Sequence, residues 1–145
     1  MDDRIKEHLQ RLNQYYLELL EISRMNIQEF RQNTLVRAAA ERILHLAIES
    51  CINIGNRLIS IIQFQKPVRA PETYADIFIQ LKNMGIIEAD FTDRLVDMAR
   101  FRNRLVHLYW DVDVDTVYKI LQENLGDFVK MQEIVVNYYN KNDKT

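Results

Sequence analysis

The sequence has little of what a β-sheet protein, a disulfide-stabilised protein or a membrane protein needs. Its 145 residues include only three Gly, two Pro and one Cys. So few Gly and Pro leave little material for hairpin turns, and this favours long helices over a sheet. The longest stretch without Asp, Glu, Lys or Arg, residues 58–65, covers eight residues, whereas a membrane-spanning helix needs roughly 20 mostly apolar ones. We therefore expect an all-α protein that does not cross a membrane.

An excess of charge of one sign is also lacking. The 19 Lys and Arg residues and the 21 Asp and Glu residues give a formal net charge of −2 at pH 7. This balance excludes a strongly basic protein that coats nucleic acid, but it leaves room for a local basic site. With 48% hydrophobic residues, the chain has the composition of a folded globular domain. Its charged N-terminus and the unpaired Cys51 predict a cytoplasmic location.

Apolar residues recur at helical spacing in the first half of the chain. From Ile5 to Leu19 they follow each other in steps of four and three residues, which places them on one helix face. Residues 26–33 are polar and are predicted to be a connection. Residues 36–61 continue the helical period and are apolar over much of the circumference. A helix of this kind is normally surrounded by others, so we expect it at the centre of a bundle.

The second half of the chain predicts three further helices. Both prolines lie between Lys66 and Tyr74, which indicates a loop, and a short helix over 75–84 should end at Gly85 as its C-cap. Asp90 is the predicted N-cap of a helix that reaches 109 and carries Arg102 on its apolar stripe. The Asp residues of 111–113 should cap a last helix over 117–135. We therefore expect one helical domain, residues 1–139, of about four to five helices, followed by a polar tail, 140–145.

Several kinds of catalytic site find no support in the sequence. His8, His45 and His107 lie far apart, and neither a His-Glu-x-x-His pair nor a repeated Cys spacing is present. No Gly-rich loop precedes a helix, which excludes a P-loop and a dinucleotide fingerprint. Cys51 lies in the most apolar predicted helix and is expected to pack there rather than to act as a nucleophile. We expect neither a metal nor a cofactor.

One segment concentrates groups that could act on a phosphate. Residues 100–110 contain three arginines and a histidine in an otherwise charge-balanced chain: Arg100, Arg102, Arg104 and His107. Histidine transfers protons near neutral pH, arginine binds phosphate oxygens, and the 2′-hydroxyl of RNA is a built-in nucleophile. RNA cleavage is therefore one interpretation. A solvated basic helix face is the second, and a purely structural helical dimer, whose arginines pair with Asp93, Asp97 and other carboxylates, is the third. Residues five apart are about 140° apart around a helix, so a two-fold dimer would best bring Arg102 and His107 to one phosphate.

The same segment carries a family resemblance. Residues 102–109, with the sequence RNRLVHLY, resemble the R-x4-H-x-Y motif of HEPN domains, specifically the HepT-type toxins of HepT/MntA toxin–antitoxin pairs. Residues 37–56 resemble the long second helix of that family, and residues 73–87 resemble its middle segment. The resemblance covers most of the chain from the first helix to Trp110. It departs from the family pattern at Asn53, where many relatives carry an acidic residue, and the roles of Glu49, Asn53 and Trp110 stay open.

The resemblance implies an activity and a means of control. It implies a HEPN-like bundle that forms a two-fold homodimer and acts, without metal, as an endoribonuclease on cellular RNA such as tRNA or mRNA. Arg102, His107 and Asn103 would be the catalytic residues, and we expect Arg100 and Arg104 to bind the substrate. The partner would be a minimal nucleotidyltransferase antitoxin of the MntA type, which AMPylates Tyr109 and so blocks RNA with bulk and negative charge. The alternative is a non-catalytic HEPN module that binds a nucleotidyltransferase.

Overall fold

The helical content of the chain agrees with the sequence prediction. The computed structural model describes residues 1–107 and 112–142, and every regular element in these ranges is an α-helix. The all-α bundle is therefore confirmed. The helices in these ranges are α1 Asp3–Ile22, α2 Ile27–Gln32, α3 Thr34–Gln63, α4 Tyr74–Asn83, α5 Ala89–His107, α6 Val114–Glu123 and α7 Gly126–Asn142.

The thirty-residue helix α3 forms the centre of the bundle, as its apolar circumference predicts. It begins where the side chain of Asn33 accepts a hydrogen bond from the backbone N–H of Val36. Helix α1 lies along it in the antiparallel direction, because Asp2 at the start of α1 forms an ion pair of 2.9 Å with Arg57 near the end of α3. The fully buried side chains of α3 include Ala40, Leu44, Ala47, Ile54 and Leu58.

The described residues contain seven helices, two or three more than the four to five predicted. The connection predicted at 26–33 contains the short helix α2, which is capped by Asn26 and buries Phe30 against Tyr118 at 5.5 Å between ring centroids. A single buried residue gives no helical period, so the sequence pattern did not indicate this helix. The predicted last helix is divided into α6 and α7 at residues 124–125. Helix α7 continues to Asn142 and so includes the beginning of the predicted tail, 140–145.

The predicted helix ends agree with the structure at Gly85 and Asp113 but not at Asp90. Gly85 has a φ of +78°, and the N–H of Ile86 bonds to the carbonyl of Leu81 at 2.9 Å, which forms a glycine C-cap after α4. Asp113 caps α6. Helix α5 begins at Ala89, so Asp90 lies within its first turn and is not the N-cap. None of the described helices is long and apolar enough to span a membrane.

Gly55 sets the distance between α3 and α4. A Cβ atom on Gly55 would lie 2.7 Å from Cγ2 of Ile77 and 3.3 Å from Cδ1 of Leu81. The methyl of Ile77 is attached to a β-branched carbon and has little freedom to move away. The two helices can therefore pack this closely only with glycine at position 55.

The substitution Gly55→Ala is expected to lower the free energy of unfolding by about 1–3 kcal/mol, because overpacking a close helix contact outweighs the better helix propensity of alanine. Gly126→Ala is the matched control, since nothing lies within 4 Å of a Cβ atom at that position. Urea denaturation of both variants measures the difference. A Gly55→Ala protein as stable as the parent would contradict the close packing of α3 and α4.

Candidate functional site

The end of α5 presents the predicted catalytic residues on different sides of the helix. The side that faces the core buries Met98, Phe101 and Leu105. Arg102 lies next to this side and is half-buried, as the apolar spacing around it predicts. Asn103, Arg104 and His107 are exposed. Arg102 and His107 therefore leave the helix in different directions.

Arg102 is held by an aromatic ring and not by a carboxylate. Its Cζ atom lies 5.0 Å from the centroid of the Tyr74 ring, in a cation–π arrangement. Its Nη1 donates a hydrogen bond to Oδ1 of Asn103 at 3.4 Å. Within residues 1–107 and 112–142 no carboxylate pairs with Arg102, and its buried Nε has no hydrogen-bond partner. The charge of the guanidinium is therefore not neutralised by a carboxylate in these ranges.

Tyr74 is placed by the loop that precedes it. It is the first residue of α4, whose N-cap Thr73 accepts a hydrogen bond from the N–H of Asp76 at 3.0 Å. Asp76 in turn binds Arg69 through two hydrogen bonds of 3.0 and 3.1 Å. These bonds fix the loop and present the ring of Tyr74 to Arg102.

His107 and Asn103 line a cleft of about 580 Å³ between α5, α3 and the loop before α4. Helix α3 contributes Asn53 and Asn56 to the lining, and Tyr74 lies at the start of α4. Asn53, whose role the sequence left open, therefore belongs to the same cleft as the predicted catalytic histidine. The remaining lining residues are Ile52, Pro71, Glu72, Thr73 and Ile77.

A row of polar residues runs along α3 beside these groups. The α3 polar row consists of Arg42, His45, Glu49, Asn53 and Asn56, which follow each other in steps of three and four residues. Nη1 of Arg42 lies 3.3 Å from Nδ1 of His45, and Nε2 of His45 lies 3.4 Å from Oε2 of Glu49 at an angle that forms no hydrogen bond. Glu49 thus contacts a histidine of its own helix.

His45 is kept neutral by its surroundings. Burial lowers its pKa most, and the positive charges of Arg102 and Arg42 lower it further. The negative charge of Glu49 raises the pKa but does not outweigh these effects. A neutral imidazole whose Nδ1 accepts from Arg42 carries its proton on Nε2, toward Glu49. His45 therefore adds no positive charge beside Arg102 at neutral pH.

Arg100 and Arg104 lie on another groove of the same helix. Together with Arg94 they line a groove of about 340 Å³ whose apolar lining includes Phe101 and Ile120. Arg100 lies 3.8 Å from Asp97, with both side chains largely exposed, and the Cζ atom of Arg104 lies 6.0 Å from the Phe101 ring centroid. Within one chain, these two arginines do not share the cleft of Asn103 and His107.

The remaining sequence predictions concern a thiol, metals and aromatic residues. Cys51 is buried, and burial raises the pKa of its thiol, so it stays protonated as a packing residue. In the described part of the chain, no three His, Cys, Asp or Glu side chains form a group that could hold a metal ion. Tyr109 and Trp110 lie outside the described residues.

Three residues near the site were missed by the sequence reasoning: His45, Asn56 and Tyr74. The polar spacing along α3 contains the signal for the first two, because His45, Asn53 and Asn56 share one face of an otherwise apolar helix. Tyr74 carried no such signal. It meets Arg102 only through the packing of α4 on α5.

Comparison with known proteins identifies the family. The sequence profile of the HepT-like family, described as "Ribonuclease HepT-like", matches residues 5–135, and the chain belongs to this family. An mRNA nuclease HepT of Shewanella oneidensis is 27% identical over 107 residues, which cover 74% of this chain and 77% of that protein. A tRNA nuclease HepT of Aphanizomenon flos-aquae is 24% identical over 124 residues, or 86% of this chain and 82% of that protein.

Solved structures share the fold. A tri-AMPylated HEPN toxin of Shewanella oneidensis, in complex with an MNT antitoxin, superposes with a TM-score of 0.83 at 23% identity, over 94% of this chain and 99% of that one. The cytosolic protein YutE of Bacillus subtilis, of unknown function, superposes with a TM-score of 0.75 at 20% identity, over 94% and 92% of the two chains. The HEPN-like fold and the resemblance to HepT-type proteins are both confirmed.

The pKa of His45 provides a test of the arrangement around Arg102. We expect His45 to titrate below the ordinary histidine value of about 6.5, and Arg102→Gln to raise this pKa because a nearby positive charge is lost. Arg104→Gln, which changes an arginine on the other groove, should leave it unchanged. NMR titration of the imidazole signals measures all three proteins. An unchanged pKa of His45 in the Arg102→Gln variant would contradict the placement of Arg102 beside His45.

The same shift gives a pH dependence of stability. Because the pKa of His45 is lower in the folded than in the unfolded chain, its contribution to stability is present above pH of about 6.5 and is lost as the pH falls through the folded-state pKa. Urea denaturation across this range, compared with the variant His45→Gln, isolates the contribution. A parent and variant with parallel pH profiles would contradict it.

Proposed function

We propose that this protein is the toxin of a toxin–antitoxin pair and cleaves cellular RNA without a metal ion. The observation that carries the proposal is the half-buried Arg102, which no carboxylate of the described residues neutralises, on the helix that exposes His107 and Asn103. Membership of the HepT-like family, whose relatives include an mRNA nuclease and a tRNA nuclease, supports the choice of RNA as the substrate.

His107 transfers protons in the proposed reaction. It removes the proton from a ribose 2′-hydroxyl, whose oxygen attacks the neighbouring phosphorus. The bond from phosphorus to the 5′-oxygen of the next nucleotide breaks, and that oxygen takes up a proton. The products are a 2′,3′-cyclic phosphate and a 5′-hydroxyl end. Arg102 stabilises the negative charge on the phosphate oxygens, while Asn103 orients the guanidinium through its 3.4 Å hydrogen bond.

A homodimer supplies the geometry that one chain lacks. Arg102 contacts the ring of Tyr74 at the edge of the cleft that His107 lines, and the two side chains leave α5 about 140° apart. Two copies related by a two-fold axis through the motif helices place Arg102 and His107 of both chains around one phosphate. Arg100 and Arg104 then extend the positive surface that follows the RNA backbone.

Control by an antitoxin is the second part of the proposal. The antitoxin is a minimal nucleotidyltransferase that transfers AMP from ATP to the hydroxyl of Tyr109, with release of pyrophosphate. Tyr109 stands two residues after His107, so the added phosphate and nucleoside repel and block the RNA. The relative in Shewanella oneidensis, which is AMPylated and bound to an MNT antitoxin, supports this assignment.

Substitution of the two proposed catalytic residues tests the nuclease function. We expect His107→Ala and Arg102→Gln to lower RNA cleavage at least about 100-fold, because proton transfer and charge stabilisation are each lost. His8→Ala on α1 is the control for loss of a histidine. Two quantities are measured for each variant: the cleavage of total RNA in the presence of EDTA, and the growth of cells after expression of the variant is induced.

Thermal denaturation shows whether each variant is folded. Folded variants that no longer cleave RNA support catalytic roles for His107 and Arg102. Folded His107→Ala protein that cleaves as fast as the parent would contradict the proposed role. A folded parent that leaves RNA intact would favour a non-catalytic module that binds a nucleotidyltransferase.

Tyr109→Phe tests the control by AMPylation. The variant lacks only the hydroxyl that accepts AMP, so it should cleave RNA like the parent and remain toxic when the proposed nucleotidyltransferase antitoxin is co-expressed. Tyr16→Phe on α1 is the control and should be neutralised like the parent. Mass spectrometry locates the adenylyl group. Protection of cells that express Tyr109→Phe, together with AMP on another residue, would overturn the assignment.

A further inference from the structure

The cleft beside His107 has the size and lining of a site for a small polar ring. Its volume of about 580 Å³ lies within the range of about 300–1,000 Å³ that small-molecule sites occupy. Three side-chain amides line it, from Asn53 and Asn56 on α3 and Asn103 on α5, together with the aromatic ring of Tyr74. Amides with an aromatic ring are groups that proteins use to bind unpaired nucleobases.

The charges around the cleft favour a base over a phosphate. Among its described lining residues there is no Lys or Arg, and Glu72 contributes a carboxylate. A phosphate would meet this lining with little attraction, whereas base edges offer neutral donors and acceptors. The groove on the other side of α5 contains Arg94, Arg100 and Arg104. Arg94 is paired with Asp127 and Arg100 lies near Asp97, so the charge available there for the RNA backbone is chiefly that of Arg104.

The amides of Asn53 and Asn56 are available for a ligand. Both residues are exposed, and in the described ranges neither side chain hydrogen-bonds to another protein group. They stand three residues apart on α3, so their Cβ atoms are neighbours at about 5–6 Å. Tyr74 is 43% exposed as a residue, and its ring also contacts the Arg102 guanidinium. A base stacked on Tyr74 would therefore lie close to the proposed catalytic arginine.

We propose that this cleft binds one unpaired nucleobase of the RNA next to the scissile phosphate, with Tyr74 as the stacking surface and Asn53 and Asn56 reading the base edge. The inference rests on the proposed function, because His107 in the same cleft acts on that phosphate. An amide offers one donor and one acceptor, which match N6 and N7 of adenine, so adenine is the base expected to bind most tightly. The subsite makes cleavage depend on the base beside the cut.

Binding to RNA that cannot be cleaved tests the subsite directly. Short 2′-fluoro homopolymers of A, C and U retain bases and phosphates but lack the attacking hydroxyl. We expect the parent to prefer the A homopolymer, and the double variant Asn53→Ala, Asn56→Ala to bind it about tenfold more weakly and to lose the preference. Asn13→Ala, an exposed asparagine on α1, should bind as the parent does. Fluorescence anisotropy measures the affinities, and circular dichroism confirms folding.

Mapping of cleavage positions separates this inference from the nuclease proposal. If the parent cleaves RNA and the double variant cuts at the same positions, at the same rates and with the same homopolymer preference, the subsite is wrong and the nuclease stands. If the parent does not cleave but its base preference depends on Asn53 and Asn56, the subsite stands without the nuclease. Equal binding of all homopolymers by the parent overturns the subsite.

Discussion

The packing of α3 is the constraint on which the other parts of the molecule depend. Its apolar face is buried along most of thirty residues, and α1, α4 and α5 pack against it. Gly55 permits the close approach of α4, which begins with Tyr74. The same helix also carries the α3 polar row, which faces the end of α5. One helix thus sets the position of Arg102, through Tyr74, and of the cleft at His107.

Electrostatics around Arg102 follow from this packing. The guanidinium is half-buried and is held by a ring and an amide, so its charge is not cancelled by a carboxylate among the described residues. Next to it, burial and two arginines keep His45 neutral, which limits repulsion between neighbouring cations. Binding of an anion to this guanidinium would not require an ion pair among the described residues to be broken.

The sequence predicted the helical class, the central helix, the Gly85 cap and the half-buried position of Arg102, because each depends on local spacing or on one residue type. It did not predict α2, whose burial rests on the distant contact of Phe30 with Tyr118, or the partner of Arg102. Contacts between helices far apart in the sequence leave no local pattern. Likewise, the separation of Arg104 from His107 into two grooves became visible only with the neighbours of α5 in place.

The chemistry of the cut ends tests the account most directly. Purified protein, treated with EDTA and incubated with a defined single-stranded RNA, should release fragments with a 2′,3′-cyclic phosphate and a 5′-hydroxyl, because the proposed reaction uses the 2′-hydroxyl as the nucleophile and His107 for proton transfer. Mass spectrometry of the fragments identifies both ends. Fragments with a 3′-hydroxyl and a 5′-phosphate, or cleavage that appears only after a divalent ion is added back, would contradict the account.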